Sequence, residues 1–456
     1  MTDHSFDLVI LGGGSGGYAA ALRAAELGSS VALVEKDKLG GTCLHRGCIP
    51  TKALLHSAEV ADSIRGSAHV GVRSSFEGID IAAVHAYREG IVAKKHKGLE
   101  GLIAARKITV VRGAGRLLDD GSVAVGDDRY RGRDVVLATG SSSRLIPGLE
   151  VGERILTSEQ ALALPEVPRR AVILGGGVIG VEFASIWRSF GAEVTIVEAL
   201  DRLLPTEDAA LSKALERAFR KRGITARTGV RFAGAESSAG GVTVALEDGS
   251  TLDADVLLVA VGRGPVTAGI GLEDAGVELD RGFVRVDERL RTTRAGVWAV
   301  GDIVPGLQLA HRSFQQGIFV AEEIAGLRPT VVPDSLVPRV TYSSPEVASV
   351  GLTEEQARAA HGEAVVVREY NLAGNGKSEI LGTAGLVKVV RRLDGPVVGV
   401  HLVGDRVGEL ITEGQLVVGW EAHPEDIAPF IHAHPTQSEA LGEAFLALAG
   451  KPLHAL

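Results

Sequence analysis

The chain carries one glycine-rich pattern twice, and this duplication narrows the folds open to it. Phe6 to Leu11 is a short apolar run, followed by Gly12-Gly13-Gly14-Ser15-Gly16-Gly17 and an Ala-rich stretch from Tyr18 to Leu27. A second apolar run, Val31 to Val34, ends at Glu35. Ala171 to Leu174, Gly175-Gly176-Gly177-Val178-Ile179-Gly180, Val181 to Phe190 and Val194 to Val197 repeat that order and end at Glu198. Each acid lies 21 residues after the third glycine of its loop, Gly14 or Gly177. Strand, glycine loop, helix, strand and acid in this order predict a βαβ unit. Gly12, Gly14 and Gly17, like Gly175, Gly177 and Gly180, permit a tight turn and close approach to a pyrophosphate at the helix N-terminus, and the acid suits a ribose hydroxyl. The repeat extends to Val135-Val136-Leu137-Ala138-Thr139-Gly140 and Val256-Leu257-Leu258-Val259-Ala260-Val261-Gly262, so each half closes with a buried strand and a glycine. Two complete fingerprints imply two bound dinucleotides; the alternative is one copy that has lost its ligand.

Cys43 and Cys48 are the only cysteines in 456 residues, and they follow the first loop. The next stretch, Pro50 to Ala61, is apolar at helical spacing, with Leu54, Leu55, Ala58 and Ala61 recurring. Pro50 suits the first turn of such a helix. Cys48 therefore falls at a helix N-terminus, where exposed N–H groups and the helix dipole favour a thiolate. By themselves two cysteines could equally be reduced core residues. A zinc site would need more ligands than His45 supplies, and no metal is expected. A structural disulfide is disfavoured in a chain without a secretory signal.

The formal net charge is −9 and no long Lys/Arg run appears, which argues against nucleic acid as a partner. The N-terminus lacks a signal-peptide pattern, and the longest apolar runs, such as Val256 to Val261, are too short to span a bilayer, so no membrane association and a cytoplasmic location are expected. From about Val347 strand-like stretches (Gly385 to Arg391, Val397 to Leu402) alternate with helical ones (Glu354 to Ala360, Val407 to Glu421), with no glycine-rich phosphate loop. The fold class expected is α/β: two Rossmann-like dinucleotide-binding domains, one inserted in the other, plus a C-terminal α+β domain. The expected bounds are 1–150, 151–270, 271–345 for the return to the first domain, and 346–456.

The stretch Gly40-Gly41-Thr42-Cys43-Leu44-His45-Arg46-Gly47-Cys48-Ile49-Pro50-Thr51-Lys52 resembles, almost residue for residue, the redox-disulfide signature of the flavin-dependent disulfide reductases. The resemblance covers nearly the whole chain, Phe6 to Leu448. It implies FAD in the first site and NAD in the second, with a flavin exchanging an electron pair with Cys43 and Cys48. It implies that Asp302 of Val297-Trp298-Ala299-Val300-Gly301-Asp302 reaches the FAD ribityl chain, and that Leu309-Ala310-His311 opens a helix by the flavin ring. Thr139, Gly140, Ser141, Ala310 and Gly262 join the expected cofactor contacts. Lys52 resembles the family lysine that pairs with a glutamate, here Glu182, beside the flavin.

His432-Ala433-His434-Pro435-Thr436-Gln437-Ser438-Glu439 resembles the family's acid–base motif, which implies that His434 moves the thiol proton and Glu439 orients it. In that family the base reaches the cysteines from the neighbouring subunit, so an obligate homodimer is expected. Leu410, Ile411, Leu416, Val417, Val418 and Trp420 are candidates for its buried patch. The acid at Glu198 favours NAD over a 2′-phosphate, unlike the basic residues of glutathione and trypanothione reductases; Arg202 is the one nearby cation and Asp201 adjoins it. The absence of a C-terminal cysteine disfavours mercuric and thioredoxin reductases. The form of the histidine motif points to members that oxidise dihydrolipoyl groups, which implies a lipoyl-bearing acyltransferase of a 2-oxoacid dehydrogenase complex as partner. Another NAD(P)H-dependent disulfide reductase of the family, a docking subunit with a vestigial redox site, and a quinone-directed flavin oxidoreductase are the alternatives. Leu44-His45-Arg46 in place of the commoner Leu-Asn-Val, Thr51 in place of Ser and Gln437 in place of Leu are departures that bear on the disulfide substrate.

Overall fold

The computed structural model describes residues 2–454. The strand Thr2–Leu11 pairs in parallel with Val31–Glu35 on one side and Asp128–Leu137 on the other. Thr109–Arg112 continues the sheet beyond Val31–Glu35, and the hairpin Gly115–Leu117 and Val123–Val125 closes the far edge. The first strand is longer than its apolar run. Thr2 to Phe6 are polar or half-exposed, and they pair with Asp128 to Gly132 outside the core. Only the buried half, Leu8 to Leu11, is marked by hydrophobicity.

The second sheet repeats this plan. Its parallel order is Ile224–Arg227, Glu193–Val197, Arg170–Leu174, Val256–Val259 and Ile155–Leu156. Its first four strands match Thr109–Arg112, Val31–Glu35, Thr2–Leu11 and Asp128–Leu137 in order and direction. An antiparallel meander precedes the closing strand here too, Phe232–Ser238, Gly241–Leu246 and Thr251–Ala254. The chain then returns: Val297–Ala299 pairs with Val135 to Leu137 and becomes the seventh strand of the first sheet. That pairing delivers Gly301 and Asp302 to the edge of the first site.

The glycine loops match at the level of single contacts. Gly12 has φ 109° and Gly175 φ 104°, left-handed values that other residues rarely adopt. A Cβ at Gly17 would lie 1.8 Å from the Gly12 carbonyl oxygen, and one at Gly180 would lie 1.9 Å from that of Gly175. These glycines face inward, where helix and loop touch. At Gly177 a Cβ would meet nothing within 4 Å, so this position faces open space.

The third sheet is antiparallel, in the order Arg339–Thr341, Glu346–Gly351, Val397–Gly404, Leu386–Arg392 and Val365–Asn371. Helices Val407–Gly419 and Glu439–Leu448 pack on it through Ile411, Val417, Leu441 and Phe445. This corrects the expected interface patch. Ile411 and Val417 are buried under their own sheet, and Leu410 and Val418 are half-buried beside them. Leu416 and Trp420 do face outward, and Phe430 and Ile431 join them, Ile431 at 97% exposure. Ion pairs tie this unit to the second nucleotide-binding unit: Lys388 Nζ lies 2.8 Å from Asp208, and Arg339 Nε lies 2.9 Å from Glu207. Among the described residues no helix is long and apolar enough to cross a membrane.

Gly180→Ala tests whether the loop needs its close helix approach. Overpacking at such a contact costs about 1–3 kcal/mol. The variant should unfold at lower temperature and bind NADH more weakly, as calorimetry and fluorescence titration would measure.

Candidate active site

Cys43 sits on the short helix Gly41–Arg46, and Cys48 is the first residue of helix Cys48–Gly66. The helix begins at Cys48, two residues before Pro50, and runs to Gly66 because Ala53, Leu54, Ala58 and Ala61 bury one face. Both cysteines are thiols here, and their side chains are in hydrogen-bonding contact. This contact lowers the Cys48 thiol to about 7; burial opposes the shift and the Lys52 ammonium supports it. The same contact raises Cys43, and burial adds to the effect. Cys48 is thus the member of the pair that ionises near neutral pH, and its place at a helix N-terminus acts in the same direction.

Lys52 lies one turn further on. Its Nζ donates to both carboxylate oxygens of Glu182, at 2.9 and 2.8 Å. Glu182 is buried on helix Val178–Phe190 of the second nucleotide-binding unit. It also accepts a bond from the Tyr342 backbone N–H at 2.9 Å, and Lys52 Nζ stands 4.7 Å from the centre of the Tyr342 ring. Burial pulls the ammonium down, but the charge and hydrogen bonds of Glu182 outweigh it and the net shift is upward, so Lys52 stays protonated.

The cysteines open onto one continuous cleft of about 1790 Å³. Gly12, Gly14 and Glu35 line it, as do Gly175, Gly177 and Glu198, together with Lys52 and Glu182. Each acid is fixed by backbone donors in the same way. Glu35 accepts from Gly13 N at 2.7 Å and Asp37 N at 2.8 Å; Glu198 accepts from Gly176 N at 2.6 Å and Leu200 N at 2.8 Å. A carboxylate held at both oxygens keeps its remaining lone pairs in a fixed direction, which is what a ribose diol requires. Arg202 is turned away to the Pro205 carbonyl, at 3.2 Å, and to Glu355.

Thr139, Gly140, Ser141, Asp302, Ala310 and Gly262 also line the cleft. Ser141 Oγ donates to Asp302 Oδ2 at 2.5 Å. Arg263 donates to Ser141 twice, from Nε to Oγ at 2.7 Å and from Nη2 to the carbonyl at 2.6 Å. Sequence reading stopped at Gly262 and missed this arginine, although it is the next residue. Thr139 Oγ1 gives its proton to the Val266 carbonyl at 2.6 Å, which braces the turn. Gly17 and Gly180 lie beneath the loops, outside the cleft lining. The departures at His45 and Arg46 have partners of their own: His45 Nε2 meets the Leu39 carbonyl at 2.8 Å, and Arg46 pairs with Asp37.

His434 and Glu439 form a pair, with Nδ1 at 2.9 Å from Oε1; the second Glu439 oxygen accepts from Thr436 N at 2.8 Å. Burial works against the Glu439 charge, but the Thr436 N–H and His434 outweigh it and hold the carboxyl below its ordinary range. The chain does not bring this pair to its own cysteines. Neither residue lines the cleft, and the His434 side chain is 80% exposed.

Two nucleotide cradles joined by a half-buried dithiol define a flavoprotein disulfide oxidoreductase. Residues 6–317 match the pyridine nucleotide-disulphide oxidoreductase family, and residues 337–445 match that family's dimerisation domain. The chain belongs to this family. It is 41% identical to a dihydrolipoyl dehydrogenase of Bacillus subtilis, over 98% of this chain and 99% of that one. It is 40% identical to a leghemoglobin reductase of Vigna unguiculata, over 98% and 88%. The crystal structure of LpdA from Mycobacterium tuberculosis superposes with a TM-score of 0.89 at 29% identity, covering 98% and 100%. The protein is an FAD- and NAD-dependent oxidoreductase that forms a homodimer. The two matched glycine loops and the two backbone-fixed acids fit one dinucleotide each.

The Cys48 ionisation can be tested directly. Titration of the reduced protein should give one thiolate with a midpoint near 7, which Cys48→Ser abolishes. Lys52→Met removes the supporting cation and leaves the buried Glu182 charge, so the midpoint should move up. An unchanged midpoint would show that Lys52 does not act on the sulfur.

Proposed function

We propose that the protein oxidises dihydrolipoyl groups with NAD, regenerating the lipoyl groups of a 2-oxoacid dehydrogenase complex, and that it docks on the lipoyl-bearing acyltransferase of that complex. The single observation that carries this reading is the dithiol of Cys43 and Cys48, set in a cleft shared by two nucleotide cradles. The full-length similarity to a dihydrolipoyl dehydrogenase supports the choice of substrate.

The site requires two chains. The substrate dithiol meets the Cys43–Cys48 disulfide, and His434 of the partner subunit takes its proton, with Glu439 of the partner subunit holding the other ring nitrogen. The substrate thiolate attacks Cys43, and Cys48 leaves as the thiolate that Lys52 and the helix N-terminus stabilise. The second substrate thiol then displaces Cys43, so the substrate departs as a disulfide and the protein holds two cysteine sulfurs in reduced form. Bound in the first cradle, FAD would supply an acceptor for the electron pair of the cysteines, and NAD in the second would supply a hydride acceptor. Asp302, turned by Ser141 and Arg263, and Glu35 would hold the flavin dinucleotide, while Glu198 would hold the NAD ribose.

A substrate panel decides the reading. Dihydrolipoamide with NAD should be turned over far faster than glutathione-type disulfides are reduced with NADPH. Comparable rates would place the chain with another branch of the family.

The composite site predicts complementation. A Cys48→Ser chain and a His434→Ala chain, mixed and re-associated, form a heterodimer with one doubly damaged site and one intact site. Activity should return to about half the wild-type value per heterodimer. No recovery in heterodimers shown to have formed would place base and cysteines on one chain.

A further inference from the structure

A second histidine–glutamate pair stands beside the first. His432 Nε2 lies 2.8 Å from Glu413 Oε1, across from the loop to helix Val407–Gly419. Its ring packs against helix Glu439–Leu448, where a Cβ at Gly442 would lie 2.5 Å from Nδ1. Gly442 is one turn beyond Glu439, so both imidazoles are seated on the first turns of one helix.

The anchors of this loop are unequally distributed. On the far side of His434 there are several: Asn375 Nδ2 donates to the Thr436 carbonyl at 2.9 Å, Gln437 Nε2 donates to the Asp405 carbonyl at 2.9 Å, and Glu439 holds Thr436 N. On the near side, Phe430 is 73% exposed and Ile431 97% exposed; Thr436 Oγ1 donates to the Ala433 carbonyl at 2.6 Å within the loop itself, and His432 to Glu413 is a side-chain tie to another helix. The near-side strand of the loop is thus joined to helix Val407–Gly419 through His432.

We propose that His432, clamped to Glu413, is a positioning residue that aims His434 at the neighbouring subunit's cysteines. This rests on the acid–base role given to His434 above. The clamp is charge-assisted. The Glu413 hydrogen bond raises His432 above the ordinary imidazole range against the effect of burial, and the charges of Glu413 and Glu439 add to the rise. Because the pKa is raised, the charged clamp is complete below the ordinary imidazole pKa and is lost as pH rises through the raised value. The aim of His434 then relaxes to that given by a neutral hydrogen bond.

The test uses the FAD-loaded homodimer. His432→Gln and Glu413→Gln each remove the charge pair while keeping a hydrogen-bonding group. Each should slow dihydrolipoamide oxidation by about tenfold, a part of what general base catalysis contributes. The double variant should fall no further. Reduction of ferricyanide by NADH, which needs no proton acceptor at the sulfur, should stay at the wild-type rate. The descending limb of the wild-type pH profile that follows His432 deprotonation should be missing from both variants. Wild-type rates with an unchanged profile would overturn the proposal. So would an equal loss in the ferricyanide reaction, or a loss that merely tracks a lower melting temperature or dissociation of the dimer. His434→Ala serves as the control. If it retains dithiol oxidation, the role of His434 itself is wrong; if it abolishes oxidation while the His432 and Glu413 variants behave as wild type, only the positioning role falls.

Discussion

One carboxylate joins the three parts of this protein. Glu182 belongs to the second nucleotide-binding unit, Lys52 to the redox helix of the first, and the Tyr342 N–H to the entry of the third, and all converge on the same two oxygens. A buried ion pair adds little net stability compared with apolar packing, but removing one partner costs about 3–5 kcal/mol because the other charge stays buried. Its value is in geometry. The bond fixes the ammonium of Lys52 on the side of the helix where Cys48 ionises, and it sets the distance between the two nucleotide cradles. A site that passes electrons from sulfur to one nucleotide and on to another depends on that distance.

The duplication explains why one connection suffices. Both units reach their glycine loop from the same strand order, and both aim their acid with two backbone N–H groups. Each cradle is therefore rigid by itself, and only their mutual placement needs fixing. Asp62 and Arg222 reinforce it: Arg222 Nη2 donates to Asp62 at 2.9 Å and Nη1 donates to the Ser344 carbonyl at 2.8 Å, again joining the redox helix, the second unit and the third.

Much of this was legible because the informative residues carry local constraints. The Gly12 and Gly175 loops, the acids that end their second strands, and the cysteine helix all leave short-range marks in the sequence. What was not legible depends on contacts between distant segments. Helix Ile81–Ala105 has few buried side chains, Arg88, Leu99 and Ile103 among them, so it shows no apolar stripe. The outer half of Thr2–Leu11 is held by ladder bonds to Asp128–Leu137, which polar residues make as well as apolar ones. Arg263 matters only because Ser141 lies against it across the fold. The interface residues were misjudged for a related reason. Val407 to Trp420 is apolar on two faces, and hydrophobicity alone does not say that Ile411 and Val417 face their own sheet while Trp420 faces out.

The exposure of His434 follows from the same division of labour. A base tied to a carboxylate would ordinarily be sheltered, yet this one projects from the domain with apolar Phe430 and Ile431 beside it. Large exposed apolar side chains next to a histidine–carboxylate pair mark a surface made to be covered. Covering it with a second copy buries the apolar residues and excludes water from the histidine in one step. In the proposed two-chain site, the hydrophobic gain of dimerisation would thereby order His434 against the sulfur pair. Folding of a single chain completes the cradles and the dithiol, and in the proposed site association of two chains would complete the chemistry.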